Sequence, residues 1–112
     1  MIHEEICTYE VCKLAKEKGF DVPTAKNYRH ENGTTCNAPT QSLLQRWLRE
    51  EKNIVVVVDW FSIEQKYYWR VYDTSKDDMF ASFMPSAKSM SRYDTWEQAL
   101  ESGLKYALKE LK

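Results

Sequence analysis

Glycine and proline are scarce in this chain, three of each among 112 residues, which argues against a disordered or loop-dominated protein. Three dispersed glycines also cannot supply a glycine-rich phosphate loop. Long apolar runs are missing: no stretch of about 18 apolar residues occurs, so no transmembrane helix is expected. The opening Met1-Ile2-His3-Glu4-Glu5-Ile6 puts acids where a signal peptide needs a basic and then an apolar region. An excess of one charge is lacking too. With 16 basic and 17 acidic residues the net charge is −1, so no global field favours nucleic acid or an acidic membrane. The odd count of three cysteines, Cys7, Cys12 and Cys36, suits a compartment that keeps thiols reduced. These absences together predict a cytoplasmic protein.

What is present is material for a core. Hydrophobic residues make up 43% of the chain and aromatics 13%, enough for one domain over residues 1–112 without staples. The strongest pattern runs from Pro39 to Tyr72. Leu43, Leu44, Trp47 and Leu48 form a helical stripe after Thr40 as N-cap. In the strand that follows, Ile54, Val56, Val58 and Trp60 share one face, and Val55, Val57, Asp59 and Phe61 the other. In a second strand Tyr67, Trp69 and Val71 alternate with Tyr68, Arg70 and Tyr72. A four-residue loop from Ile63 to Lys66 would place Trp60 opposite Trp69, Val58 opposite Val71 and Asp59 opposite Arg70. Parity is the firmer part of this expectation, because a slip of one residue would put Arg70 in the core.

Around that unit the sequence predicts a first helix from about Thr8 to Lys18, capped by Thr8 and stopped at Gly19. Residues 21–38 show no period and read as a loop. Met79 to Met84 offers a short third strand, and Pro85 to Arg92 an exposed loop. The last helix starts at Asp94 or Thr95 with a capping box. It carries a stripe of Trp96, Ala99, Leu100, Gly103, Leu104, Ala107, Leu108 and Leu111. The expected architecture is α+β: a two-layer sandwich in which a small antiparallel sheet of about three strands carries helices mainly on one face, in the order α-α-β-β-β-α.

Three stretches, Thr8–Phe20, Pro39–Arg49 and Tyr93–Leu104, resemble a group of small, uncharacterised proteins borne by phages and prophages of Bacteroides-type gut bacteria. The resemblance covers most of the chain, but its motifs are structural. It implies a genomic setting and no mechanism.

Chemistry finds little purchase in the sequence. Cys7, Cys12, His30 and Cys36 lack the tight knuckle spacing of a structural zinc site, and buried cysteines are the simpler reading; neither metal nor cofactor is expected. No nucleophile stands beside a marked base or oxyanion hole, and Asp59 with Arg70 reads as a cross-strand ion pair. The sequence therefore predicts no enzyme. A winged-helix DNA-binding accessory or regulatory protein is the alternative, with Gln41, Gln45, Arg46 and Arg49 (beside Ser42) facing a groove. A double-stranded RNA-binding fold fits less well, because the N-terminus of its last helix should be basic and Asp94, Glu97 and Glu101 are acidic.

The favoured function is non-catalytic: a protein-interaction or self-associating module, with a protein partner or a homodimer rather than nucleic acid or membrane. One layer of helices covers one sheet face, which would leave Val55, Val57, Phe61, Tyr68, Arg70 and Tyr72 as a candidate interface. The competing expectation is that the first helix folds over that face and buries it within the chain.

Overall fold

The computed structural model describes residues 4–75, the backbone of 82–83, and residues 92–111. Among them lie α1 (Tyr9–Glu17), β1 (Asn27–Arg29), β2 (Thr35–Asn37), α2 (Gln41–Glu51), β3 (Ile54–Phe61), β4 (Lys66–Asp73), β5 (Ser82–Phe83) and α3 (Trp96–Glu110). The class is α+β. The expected order α-α-β-β-β-α is present, with a short hairpin, β1–β2, added between the first two helices.

The helix boundaries follow from their capping residues. Thr8 Oγ1 accepts from Val11 N–H at 3.4 Å and Thr40 Oγ1 from Leu43 N–H at 3.2 Å, each satisfying an orphan donor of a first turn. Gly19 takes φ +102. The turn it makes lets Gly19 N–H donate to Lys16 O at 3.1 Å and Phe20 N–H to Ala15 O at 2.9 Å, which closes α1 as a Schellman motif. Phe20 is thereby folded back into the core, edge-on to Trp47 with centroids 5.3 Å apart. At α3, Thr95 and Gln98 exchange both hydrogen bonds of a capping box.

The unperiodic stretch 21–38 is not all loop. Asn27–Arg29 pairs with Thr35–Asn37, and the turn closes on Gly33 at φ +87 and on Asn32 Oδ1, which accepts from Thr34 N–H and Oγ1. Three-residue strands are too short for a hydrophobic period to register.

The main sheet has the order β3-β4-β5, antiparallel throughout. The β3–β4 register differs by two residues from the sequence expectation. Trp60 pairs with Tyr67, Val58 with Trp69, Val56 with Val71 and Asp59 with Tyr68. The hairpin closes at Phe61–Lys66 because Gln65 accepts a left-handed conformation, φ 54, so the loop is Ser62–Gln65 and Lys66 joins the strand. An even shift leaves every side chain on its expected face. Ser82–Phe83 pairs with Val71 and Tyr72, and Tyr93 bridges Tyr67 further along the same edge. The rest of the expected third strand, Met79–Ala81 and Met84, and the expected loop from Pro85 to Ser91 lie outside the described residues.

Helices α2 and α3 pack on the face that carries Ile54, Val56, Val58, Trp69 and Val71, all buried. A Cβ at Gly103 would come within 2.9 Å of Val56 Cγ1, which shows how closely α3 approaches the sheet. Helix α1 packs against α3 and β2, so it does not fold over the far face. None of the described helices is long and apolar enough to cross a membrane.

Candidate functional site

The far face of the sheet gathers the six residues singled out from the sequence. Val55 lies opposite Tyr72, Val57 opposite Arg70, Tyr68 opposite Asp59, and Phe61 opposite Lys66. Period-2 alternation on two paired strands is the sole reason they share a face. All six are half-buried, and no described helix packs on them. Arg70 sits at the centre. One guanidinium nitrogen reaches Asp59 Oδ2 at 2.7 Å and donates to Tyr68 OH at 2.9 Å, and the other donates to Tyr72 OH at 3.2 Å. The hydrogen bonds to Tyr68 and Tyr72 hold the guanidinium charged even more firmly than usual. The ion pair expected between Asp59 and Arg70 therefore exists, across a diagonal rather than a direct pair.

Arg92 closes one end of this face. Its guanidinium lies 4.7 Å from the Phe61 ring centroid and 5.5 Å from that of Tyr68, while Nε meets Glu64 Oε2 at 2.8 Å. Phe61 and Tyr68 meet edge to face, 6.4 Å apart. The surface is thus aromatic and aliphatic, threaded by arginines whose charges are already matched by carboxylates.

Two tryptophans expected in the core are not there. Trp60 is 48% exposed and Trp96 45%. Both have the right parity or spacing, but each lies where the covering layer stops: Trp96 is the first residue of α3, and Trp60 adjoins the hairpin turn. Tyr67 stands between them, 4.9 Å from Trp60 and 6.2 Å from Trp96, centroid to centroid. Ile63, at the turn, is 86% exposed.

The four residues considered for DNA binding do not form one exposed strip. Gln41 is buried and donates to Glu97 O at 2.9 Å and Glu101 Oε1 at 3.0 Å. It stands three and seven residues before Leu44 and Leu48, on the buried line of the helix. Gln45 donates to Val56 O at 2.6 Å. Arg46 and Arg49 are exposed, and Arg46 pairs with Glu50.

All three cysteines are buried free thiols. Burial pushes the Cys7 thiol well up, and burial with the neighbouring Cys36 pushes Cys12 up to about 12, so both are poor nucleophiles at neutral pH. His30 Nδ1 is 2.6 Å from Tyr9 OH. Among the described residues no group of three or more His, Cys, Asp or Glu is disposed to hold a metal.

A groove of about 770 Å³ lies between the N-terminal half of α3 and the segment leading into α1. Glu101 stands inside it and accepts from Thr8 N–H and Thr8 Oγ1, both at 2.8 Å, and from Gln41. Sequence reading counted this residue only among the acids at the start of the last helix and did not find its contacts with Thr8 and Gln41. The signal for it was a carboxylate in mid-helix one position after the buried Leu100.

Comparison of the chain with family models, with curated proteins and with solved structures found no match.

Proposed function

We propose that the protein is a non-catalytic protein-interaction module that associates with a second copy of itself through the far face of its main sheet. One observation carries this reading. Val55, Val57, Phe61, Tyr68, Arg70 and Tyr72 share a face on which no described helix packs. Contiguous apolar surface is costly to leave in water and commonly marks an interface. The mixture of tyrosine, phenylalanine and arginine is the one such interfaces favour. Arg70 and Arg92 are already paired with Asp59 and Glu64, so they enter an interface without leaving an unmatched charge. A cytoplasmic setting and a phage or mobile-element origin belong to the same reading, the latter supported by the resemblance of the three stretches alone.

Sedimentation velocity and circular dichroism on Tyr68→Glu test it. The wild-type chain should associate, and the variant should stay folded but become monomeric, because an added carboxylate would be buried unpaired only in the associated state. Unfolding of the variant would mean that the face is covered within one chain. A wild-type monomer with a folded, unchanged variant would show that Tyr68 simply faces water.

A further inference from the structure

The exposed aromatic corner of Trp60, Tyr67 and Trp96 points to a second docking surface, separate from the far face, and we propose that it takes a basic peptide segment with an aromatic or large aliphatic anchor. Nearly half of each tryptophan is in water, and Tyr67 links them through edge-to-face contacts. Tryptophan is the residue type most often found to dominate binding when an interface forms around it. The rings are mutually tilted, 61° between Trp60 and Tyr67 and 81° between Tyr67 and Trp96. The rings touch one another edge to face, so together they form one continuous, uneven apolar surface against which a side chain can pack.

Charge identifies the occupant. Thr95 and Glu97, on either side of Trp96, line the groove beside α3, which contains five carboxylates and two cations. Glu10 is paired with Lys105, and Asp94 with Lys66. Glu101 is held by neutral donors only, and Glu5 and Glu97 have no ion pair among the described residues. At the start of α3 Asp94 is matched by Lys66 and Arg92 by Glu64, which leaves Glu97 as the unmatched charge beside the aromatic corner, with Glu101 one turn further along the groove. A partner whose anchor packs on the corner meets carboxylates along its continuation. Lysine or arginine there gains attraction, and aspartate or glutamate is repelled.

The test is selection from a random dodecapeptide display library on the immobilised full chain, followed by affinity measurement with the enriched peptides. Enriched sequences should carry more Lys and Arg than Asp and Glu, with at least one Trp, Phe, Tyr or Leu. Trp96→Ala, checked for fold by circular dichroism, should weaken binding by about tenfold or more. Glu97→Gln should weaken it by a smaller factor and lessen its salt dependence. Tyr68→Glu should leave peptide binding unchanged, which separates this surface from the far face. No enrichment, enrichment of acidic or uncharged sequences, or binding indifferent to Trp96→Ala would each overturn the proposal. So would a Trp96→Ala variant that loses self-association instead, because the corner would then belong to a second copy.

Discussion

Gly103 has no room for a methyl group. A Cβ there would stand 2.9 Å from Val56 Cγ1 and 3.1 Å from Trp69 Cβ, and neither atom is the loose end of a flexible side chain. Alanine gains about 1 kcal/mol over glycine in a helix interior, whereas overpacking a tight core costs about 1–3 kcal/mol. Gly103→Ala should therefore lower stability in a urea titration; a gain would mean that α3 can retreat from the sheet without loss. The thiols carry a second residue-scale expectation. Both are ordinarily at 9.0, and Cys12 is raised to about 12 in the fold, with Cys7 raised as well. A raised thiol favours the folded state fully below its unfolded value, and that contribution is lost as the unfolded chain ionises. The thiols should accordingly add no pH dependence to the melting temperature below pH 9.0 and should lower it as pH rises from there toward 12. Native thiols should also alkylate slowly at neutral pH and react freely once the chain is denatured.

At the scale of elements, Glu101 ties two helix N-termini to a third helix. The segment into α1 runs antiparallel to that into α2, with Cys7 N–H on Pro39 O at 3.0 Å and Gln41 N–H on Glu5 O at 2.8 Å. Glu101 reaches both Thr8 and Gln41. Replacing it by glutamine removes the charge and one acceptor oxygen, so donors at Thr8 or Gln41 lose their partner. A stability loss of about 1–3 kcal/mol is expected, read by thermal or denaturant unfolding; an unchanged midpoint would mean that water replaces the carboxylate at no cost. The helix limits were legible because caps are local: Thr8, Thr40, Thr95 and Gly19 act within a few residues of themselves. The strand register was not, because it depended on Gln65 adopting a left-handed conformation that its type does not advertise. Gln41 was misread for a related reason. Its polarity marked it as a surface residue, and only the distant Glu97 and Glu101 make its burial affordable.

On the scale of the whole molecule, the helices cover one side of the sheet and stop short of its hairpin end. Alternation along β3 and β4 was sufficient to place Val55, Val57, Phe61, Tyr68, Arg70 and Tyr72 on the far face. It did not reveal that Trp60 and Trp96 are exposed, because parity identifies a face and says nothing of where the layer above it ends. That limit depends on where α3 begins relative to the hairpin, a tertiary property.

The bonds between α1 and α3 also bear on the order in which the protein is made. Thr8 is held by Glu101, 93 positions later, and Lys18 Nζ donates to Leu111 O across the same interval. Nine residues are too few for a helix to persist alone in water, and the packing partners of α1 are β2 and α3. During translation at roughly 5–20 residues per second, Val11 and Ala15 would wait on the order of 5–20 seconds for α3 to follow. Over that interval the apolar side chains of α1 lack the half of their packing that α3 supplies. Synthesis of the last helix therefore sets the earliest moment at which the first can dock.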